Sequence, residues 1–161
     1  MTELDLSRHN LETMYEEHVT TLNHLDLLMQ AIRAPRTARD VALPRYRALL
    51  FELLNDLEVL VVDHFRFEEH SLFPLLRETG SSDLADSLTL EHVAIRTATM
   101  PVLACLHAAI SKNPSEKQWT EFGRLSMKLS EMKRAHMQRE ESEMVPVLRT
   151  ISAEGRAVPI A

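Results

Sequence analysis

Apolar residues recur with a helical period in four stretches of the chain. These are Leu11, Met14, Leu22, Leu25, Leu28 and Ile32; Leu50, Leu53, Leu57, Leu60 and Val61; Leu84, Leu88, Ile95 and Leu103; and Leu125, Leu129, Met132 and Val147. The recurrence gathers each set towards one face of a helix, so each stretch predicts an amphipathic helix with a buried stripe. Between them, Pro35 to Pro44, Thr79-Gly80-Ser81-Ser82-Asp83 and Lys112-Asn113-Pro114-Ser115 supply residues that end one helix and cap the next. Short connections make successive long helices antiparallel neighbours. The expected fold is all-α, an up-down-up-down antiparallel four-helix bundle over residues 1–151, with 152–161 as a loose C-terminal tail.

Composition agrees with this pattern. Glycine is rare, at three residues, while Leu, Glu, Met, Ala and Arg, all good helix formers, are common. A chain of 161 residues can bury a sizeable single core without staples. The single Cys105 cannot form an internal bridge, and Met1-Thr2-Glu3-Leu4-Asp5 has neither the basic start nor the apolar run of a secretion signal. A reduced, cytoplasmic setting is expected. No uninterrupted apolar run of about 20 residues is present, which argues against a membrane span. With 18 Lys and Arg against 24 Asp and Glu, the formal charge is −6 and no basic stripe stands out, so nucleic acid is not an expected partner. The apolar stripes suit a bundle core and are equally compatible with a monomer or a homo-dimer.

A repeated phrase carries the chemistry. His64-Phe65-Arg66-Phe67-Glu68-Glu69 leads to Pro74-Leu75-Leu76-Arg77, and His136-Met137-Gln138-Arg139-Glu140-Glu141 leads to Pro146-Val147-Leu148-Arg149. Glu17-His18-Val19 precedes the first phrase with its histidine 46 residues ahead, and Glu91-His92-Val93 precedes the second by 44. Residues of an antiparallel hairpin stand at one height when the midpoint of their numbers falls in the connecting turn. His18 with His64 centres on 41, inside the first connection; His64 with His92 on 78, beside Gly80; and His92 with His136 on Pro114. Four imidazoles therefore share a level. The four-residue spacing puts Glu68 beside His64 and Glu140 beside His136, and turns Glu69 and Glu141 away. Met14, Leu60, Leu88 and Met132, four residues before each histidine, place all four on interior faces.

Burying four imidazoles and two carboxylates without partners costs several kcal/mol per charge. A pair of metal ions removes that cost. The repeat assigns His18 and His64 to one ion and His92 and His136 to the other, with Glu68 and Glu140 as bridges. Mixed nitrogen and oxygen ligation of this kind suits Fe or Mn, and Zn can also occupy it. His24 is the rival for His18, which is preferred because it belongs to the repeated Glu-His-Val. His9, His70 and His107 have no matching partners and read as surface or structural histidines. Arg96 either reaches solvent or a carboxylate, or lines the second ion; Tyr15 either packs or supports the site. The eight methionines and Cys105 read as core filling.

These residues resemble the hemerythrin-like family, the HHE cation-binding domain, with a histidine on each of four helices and His-x-x-x-Glu on two. The resemblance spans roughly residues 10 to 150. It implies a four-helix bundle holding two iron ions in a non-haem centre, often oxo-bridged, that binds O2 or a related small ligand such as NO or peroxide. Two features depart from the oxygen carriers. Arg96 stands where a fifth histidine would follow His92, and Glu140 lies four rather than five residues after its histidine. The four-His, two-Glu set is more similar to bacterial di-iron proteins of nitric-oxide stress and iron-sulfur repair, although the extra cysteine-bearing segment of those proteins is missing here. The leading expectation is a di-iron protein that binds or senses a small ligand or handles iron. Redox turnover at the same metals and a metal-free structural bundle are the alternatives.

Overall fold

The computed structural model describes the backbone of residues 3–34, 36–112 and 114–153, and the side chains of 15–34, 46–59, 62–112 and 114–151. Four long helical segments and no strand occur among the described residues: Glu3–Arg33, 36–78, Ser82–Ser111 and 116–153. We refer to them as the first to fourth helices. The side chains of His9, Leu11, Met14, Leu60 and Val61, and residues 154–161 of the expected tail, lie outside the described residues. The fourth helix continues through Ser152 and Ala153, past the expected start of that tail.

Two of the connections follow the sequence closely. Gly80, with φ +84, ends the second helix in a Schellman turn: Ser81 N–H donates to Leu76 O at 2.8 Å and Gly80 N–H to Arg77 O at 3.1 Å. Ser115 caps the fourth helix in a capping box with Gln118. The first connection differs from expectation. Residues 36–44 are not a loop, because helical backbone resumes at Arg36 and runs through Pro44 to Val59. Thr37, Ala38, Arg39, Ala42 and Leu43 include good helix formers, and one proline removes only one backbone donor. Pairing between the first two helices still centres on this stretch, since His18 meets His64 and His24 meets Asp56.

Each helix packs on its sequence neighbours, and the fourth returns to the first. The predicted stripes face inward: Leu22, Leu25, Leu28, Leu50, Leu53, Leu57, Leu88, Ile95 and Leu129 are buried. The core comes in two parts. One gathers Leu25, Leu53, Leu57, Ile95, Val102, Leu106, Trp119, Phe122 and Leu129. The other gathers Leu72, Phe73, Leu76, Leu88, Met144, Leu148 and Ile151. His92 on the third helix, His136 and Glu140 on the fourth and Glu68 on the second fall between the two, and His64 adjoins Phe65 of the first cluster.

The third helix, Ser82–Ser111, is long and apolar enough by composition to cross a membrane, although Asp83, Asp86, Glu91 and Arg96 interrupt its apolar run. Here it turns His92, Ile95, Thr99, Val102 and Leu106 into the bundle. A second surprise is three π-helical turns, at Leu60–His64, Glu68–Leu72 and Glu140–Met144, each beginning or ending on a residue of the repeated phrases. Such wide turns are rare and concentrate at functional sites.

Gly80→Ala tests the turn that joins the second and third helices. No atom lies within 4 Å of a Cβ added there, so the cost comes from the positive φ alone. It should lower stability by about 1–2 kcal/mol, read as a lower urea midpoint at unchanged slope, with Gly80→Asn losing less.

Candidate metal centre

All six residues picked out from the sequence come together in the interior. His18, His64, Glu68, His92, His136 and Glu140 are at most 6 % exposed. His18 Nε2 lies 2.6 Å from His64 Nε2, and His92 Nε2 lies 3.0 Å from His136 Nε2. Two nitrogens bound at right angles to one ion, each about 2.1 Å away, are roughly 3 Å apart, so both pairs have the separation of neighbouring ligands. Glu68 spans the pairs, with Oε1 3.2 Å from His64 Nε2 and Oε2 3.0 Å from His92 Nε2. Glu140 Oε1 is 2.9 Å from His136 Nε2, while its Oε2 stands 3.4 Å from His18 Nδ1. Two overlapping groups could each hold a metal ion: His18, His64 and Glu68, and Glu68, His92, His136 and Glu140.

The carboxylate oxygens decide whether a cation fits. Neither oxygen of Glu68 nor either oxygen of Glu140 has a hydrogen-bond partner, although imidazole nitrogens stand only 2.9–3.4 Å away. The contacts are close, yet they lack the direction a ring N–H requires. Four buried, unbonded acceptor oxygens facing convergent imidazoles are a donor set for a metal and a costly one for packing alone.

As bare side chains the cluster is electrostatically divided. Burial and repulsion from Glu68 push the Glu140 carboxyl up to about 7, whereas Glu68, despite its burial, is held well below the usual range by His64 and His92. Burial opposes charge on His64, but Glu68 and a hydrogen bond to Glu17 raise it to about 10. Burial and the neighbouring charge of His64 drive His18 well below its ordinary value. Two carboxylates this close cannot both be ionised without added positive charge.

A second layer of acids orients the rings. His64 Nδ1 donates to Glu17 at 2.8 Å, His92 Nδ1 to Glu69 at 2.8 Å and His136 Nδ1 to Glu91 at 2.8 Å. Each bond places a proton on Nδ1 and leaves Nε2 for the interior. Glu69 therefore does not point away from the site, contrary to the reading from spacing. The third helix presents one ring to both neighbours, with His92 Nε2 facing Glu68 and Nδ1 facing Glu69. Arg96 Nη1 donates to the same Glu69 oxygen at 2.8 Å and its guanidinium lies 5.3 Å from the Phe65 ring centre, so it joins this layer. Arg139 Nη1 donates to Glu91 Oε1, the oxygen that His136 leaves free.

The internal two-fold is broken. Glu141, the repeat counterpart of Glu69, is exposed, and His18 Nδ1 faces Glu140 instead of a second-layer acid. His92 is stacked on Phe65 and Phe73 at centroid distances of 3.9 and 5.2 Å. Their repeat counterparts are the non-aromatic Met137 and Val145. A surface cavity of about 350 Å³ lies beside the His18 and His64 half, with Glu17, Thr21 and Asp56 in its wall.

The other candidates fall outside. His24 bonds Asp56, His70 Nδ1 donates to Arg66 O at 2.9 Å, and His107 is exposed 3.8 Å from Glu58. Tyr15 is 48 % exposed, and Cys105 packs against the core. Glu17, Glu91, Arg139 and Lys133 were missed. Adjacency to a ligand within the repeated Glu-His-Val was the available signal for the two acids; the 129, 133, 136, 140 register was the signal for Lys133.

The profile of the hemerythrin HHE cation-binding domain matches residues 9–148. The chain belongs to this family. No curated protein matches the sequence significantly. Membership and the donor set agree on a cation-binding centre, and iron is the cation typical of hemerythrin-like domains. The prolines that close each repeated phrase acquire a reason here. Pro74 and Pro146 sit six residues after Glu68 and Glu140, and Phe73 and Val145 N–H reach back five residues to those glutamates' carbonyls. Proline cannot donate and crowds the carbonyl four residues earlier, and widening the preceding turn relieves that crowding.

Glu69→Ala and Glu91→Ala should each weaken metal affinity by about 10–100-fold while Glu141→Ala leaves it unchanged, measured by competition with a chromophoric chelator. Wild-type affinity in Glu69→Ala would mean that the His92 bond does not orient the ligand.

Proposed function

We propose that this hemerythrin-family chain is a non-haem di-iron protein that binds a small ligand, O2, NO or peroxide, at a four-His, two-Glu centre. The observation that carries the reading is the set of four orphaned carboxylate oxygens facing two converged imidazole pairs. His18 and His64 would hold one ion, His92 and His136 the other. Glu68 would bridge them, and Glu140, which lies nearer the second pair, would complete the set. Helices running alternately up and down support this, since they bring histidines from all four to one height. Mn or Zn fits the same donors, with iron favoured by the family.

Iron, when bound, supplies exchangeable coordination positions, because six protein ligands do not saturate two six-coordinate ions. The chain supplies the rest. Glu17, Glu69 and Glu91 keep the Nδ1 protons of His64, His92 and His136 pointing outward. Phe65 and Phe73 wall off His92 from water, and the two apolar clusters seal the centre above and below.

Aerobically purified protein should contain about two irons per chain, with near-ultraviolet charge-transfer bands, and the His64→Ala, His136→Ala double variant should lose both. Retention of metal by that variant would overturn the ligand set. Glu68→Ala should release more iron than Glu140→Ala, because Glu68 belongs to both groups. Chelation should lower the melting temperature, as expected for an ion that binds only the folded state; an unchanged melting temperature would return the chain to a metal-free bundle.

A further inference from the structure

Lys133 is the one buried cation among the described residues that neither the fold nor the ligand set explains. Its side chain is 2 % exposed and its Nζ has no hydrogen-bond partner. It precedes His136 by three residues and Glu140 by seven, which puts it on the ligand face of the fourth helix. Besides burial, which lowers its affinity for a proton, the groups that act on it are the carboxylates of Glu140, Asp56, Glu68 and Glu17. In turn it is among the positive neighbours acting on His18. The fourth helix packs on the first, which carries Glu17 and His18, so a buried side chain at 133 that acts on both belongs to the His18 and His64 side of the centre, the half without an Arg96-type partner.

Leucine or methionine would fill this place at less cost, since a buried lysine with no partner is destabilising. Once cations engage Glu68 and Glu140, those carboxylates are no longer available to it, and the surroundings gain positive charge. A small anion satisfies both the ammonium and an exchangeable coordination position. Resting on the di-iron reading above, we propose that Lys133 is a binding residue for a small monoanionic ligand at the His18 and His64 half of the centre, donating a hydrogen bond to the bound anion. The chemistry it selects is that of azide or of a superoxide-like or hydroperoxide-like anion. A neutral diatomic gains nothing from it.

The test uses the iron-loaded full chain, sodium azide as probe, and the variants Lys133→Met and Lys133→Arg. Lys133→Met should keep the iron content of the parent, melt no lower, and raise the azide Kd by about tenfold or more, the loss of one charge-assisted hydrogen bond. Lys133→Arg should recover part of that loss, and affinity for NO should change little in either. An azide Kd within about twofold of the parent in Lys133→Met overturns the inference. So does loss of iron from that variant, which would make Lys133 a metal ligand or a structural element. In the unsubstituted protein, the stretching frequency of bound azide should shift in D2O, and the shift should vanish in Lys133→Met. A parent with no such shift overturns the proposal even if the variant fails to fold. A parent that holds no iron overturns the di-iron reading and this inference with it, whereas an iron-loaded parent indifferent to Lys133 overturns this inference alone.

Discussion

Four imidazoles and two carboxylates buried at one level, between two apolar clusters, are the constraint to which the rest of the structure answers. A polar layer of this kind opposes folding, because each desolvated carboxylate without a hydrogen bond raises the free energy of the folded state. Leu25, Leu53, Leu57, Phe122 and Leu129 on one side, and Leu72, Phe73, Leu76, Met144 and Leu148 on the other, supply the apolar burial that offsets it. The helices are therefore held together from both sides of the centre. The donor atoms stand at ligand-like separations, as preorganisation of a site requires.

The backbone accommodates the same constraint. Leu72 and Leu76 follow Glu68, and Met144 and Leu148 follow Glu140, at spacings of four and eight, so each glutamate shares an interior face with the apolar residues beyond it. Single π turns start at both glutamates.

The repeated phrase predicts two equivalent halves, and the tertiary structure makes them unequal. His92 and His136 are tied through Glu69 and Glu91 to Arg96 and Arg139, and His92 stacks on two phenylalanines. His18 lacks such a partner, and Lys133 and an open cavity lie on its side. An arginine-bound carboxylate is a weaker acceptor for an imidazole N–H than a free one, so ligand basicity differs between the halves. Both halves are buried, and they differ in what backs their rings.

Much of this was legible in the chain. Period-3.6 apolar stripes specify helices, Gly80 and Ser115 mark two of the turns, and the duplicated His-x-x-x-Glu with its two lone histidines names the six buried histidines and glutamates, because these depend on local spacing and on ligand chemistry that residue types reveal directly. The π turns, the helical course of 36–44, the roles of Glu17, Glu69 and Glu91 and the burial of Lys133 were not. A glutamate after a ligand looks like a solvated helix face until a neighbouring helix presents an imidazole nitrogen to it, and a lysine looks solvated until packing shows where its stem ends. Spacing within each helix specifies which six ligands share one level, whereas packing between helices sets how each is oriented and what backs it, because orientation depends on contacts between helices that no spacing within one helix encodes.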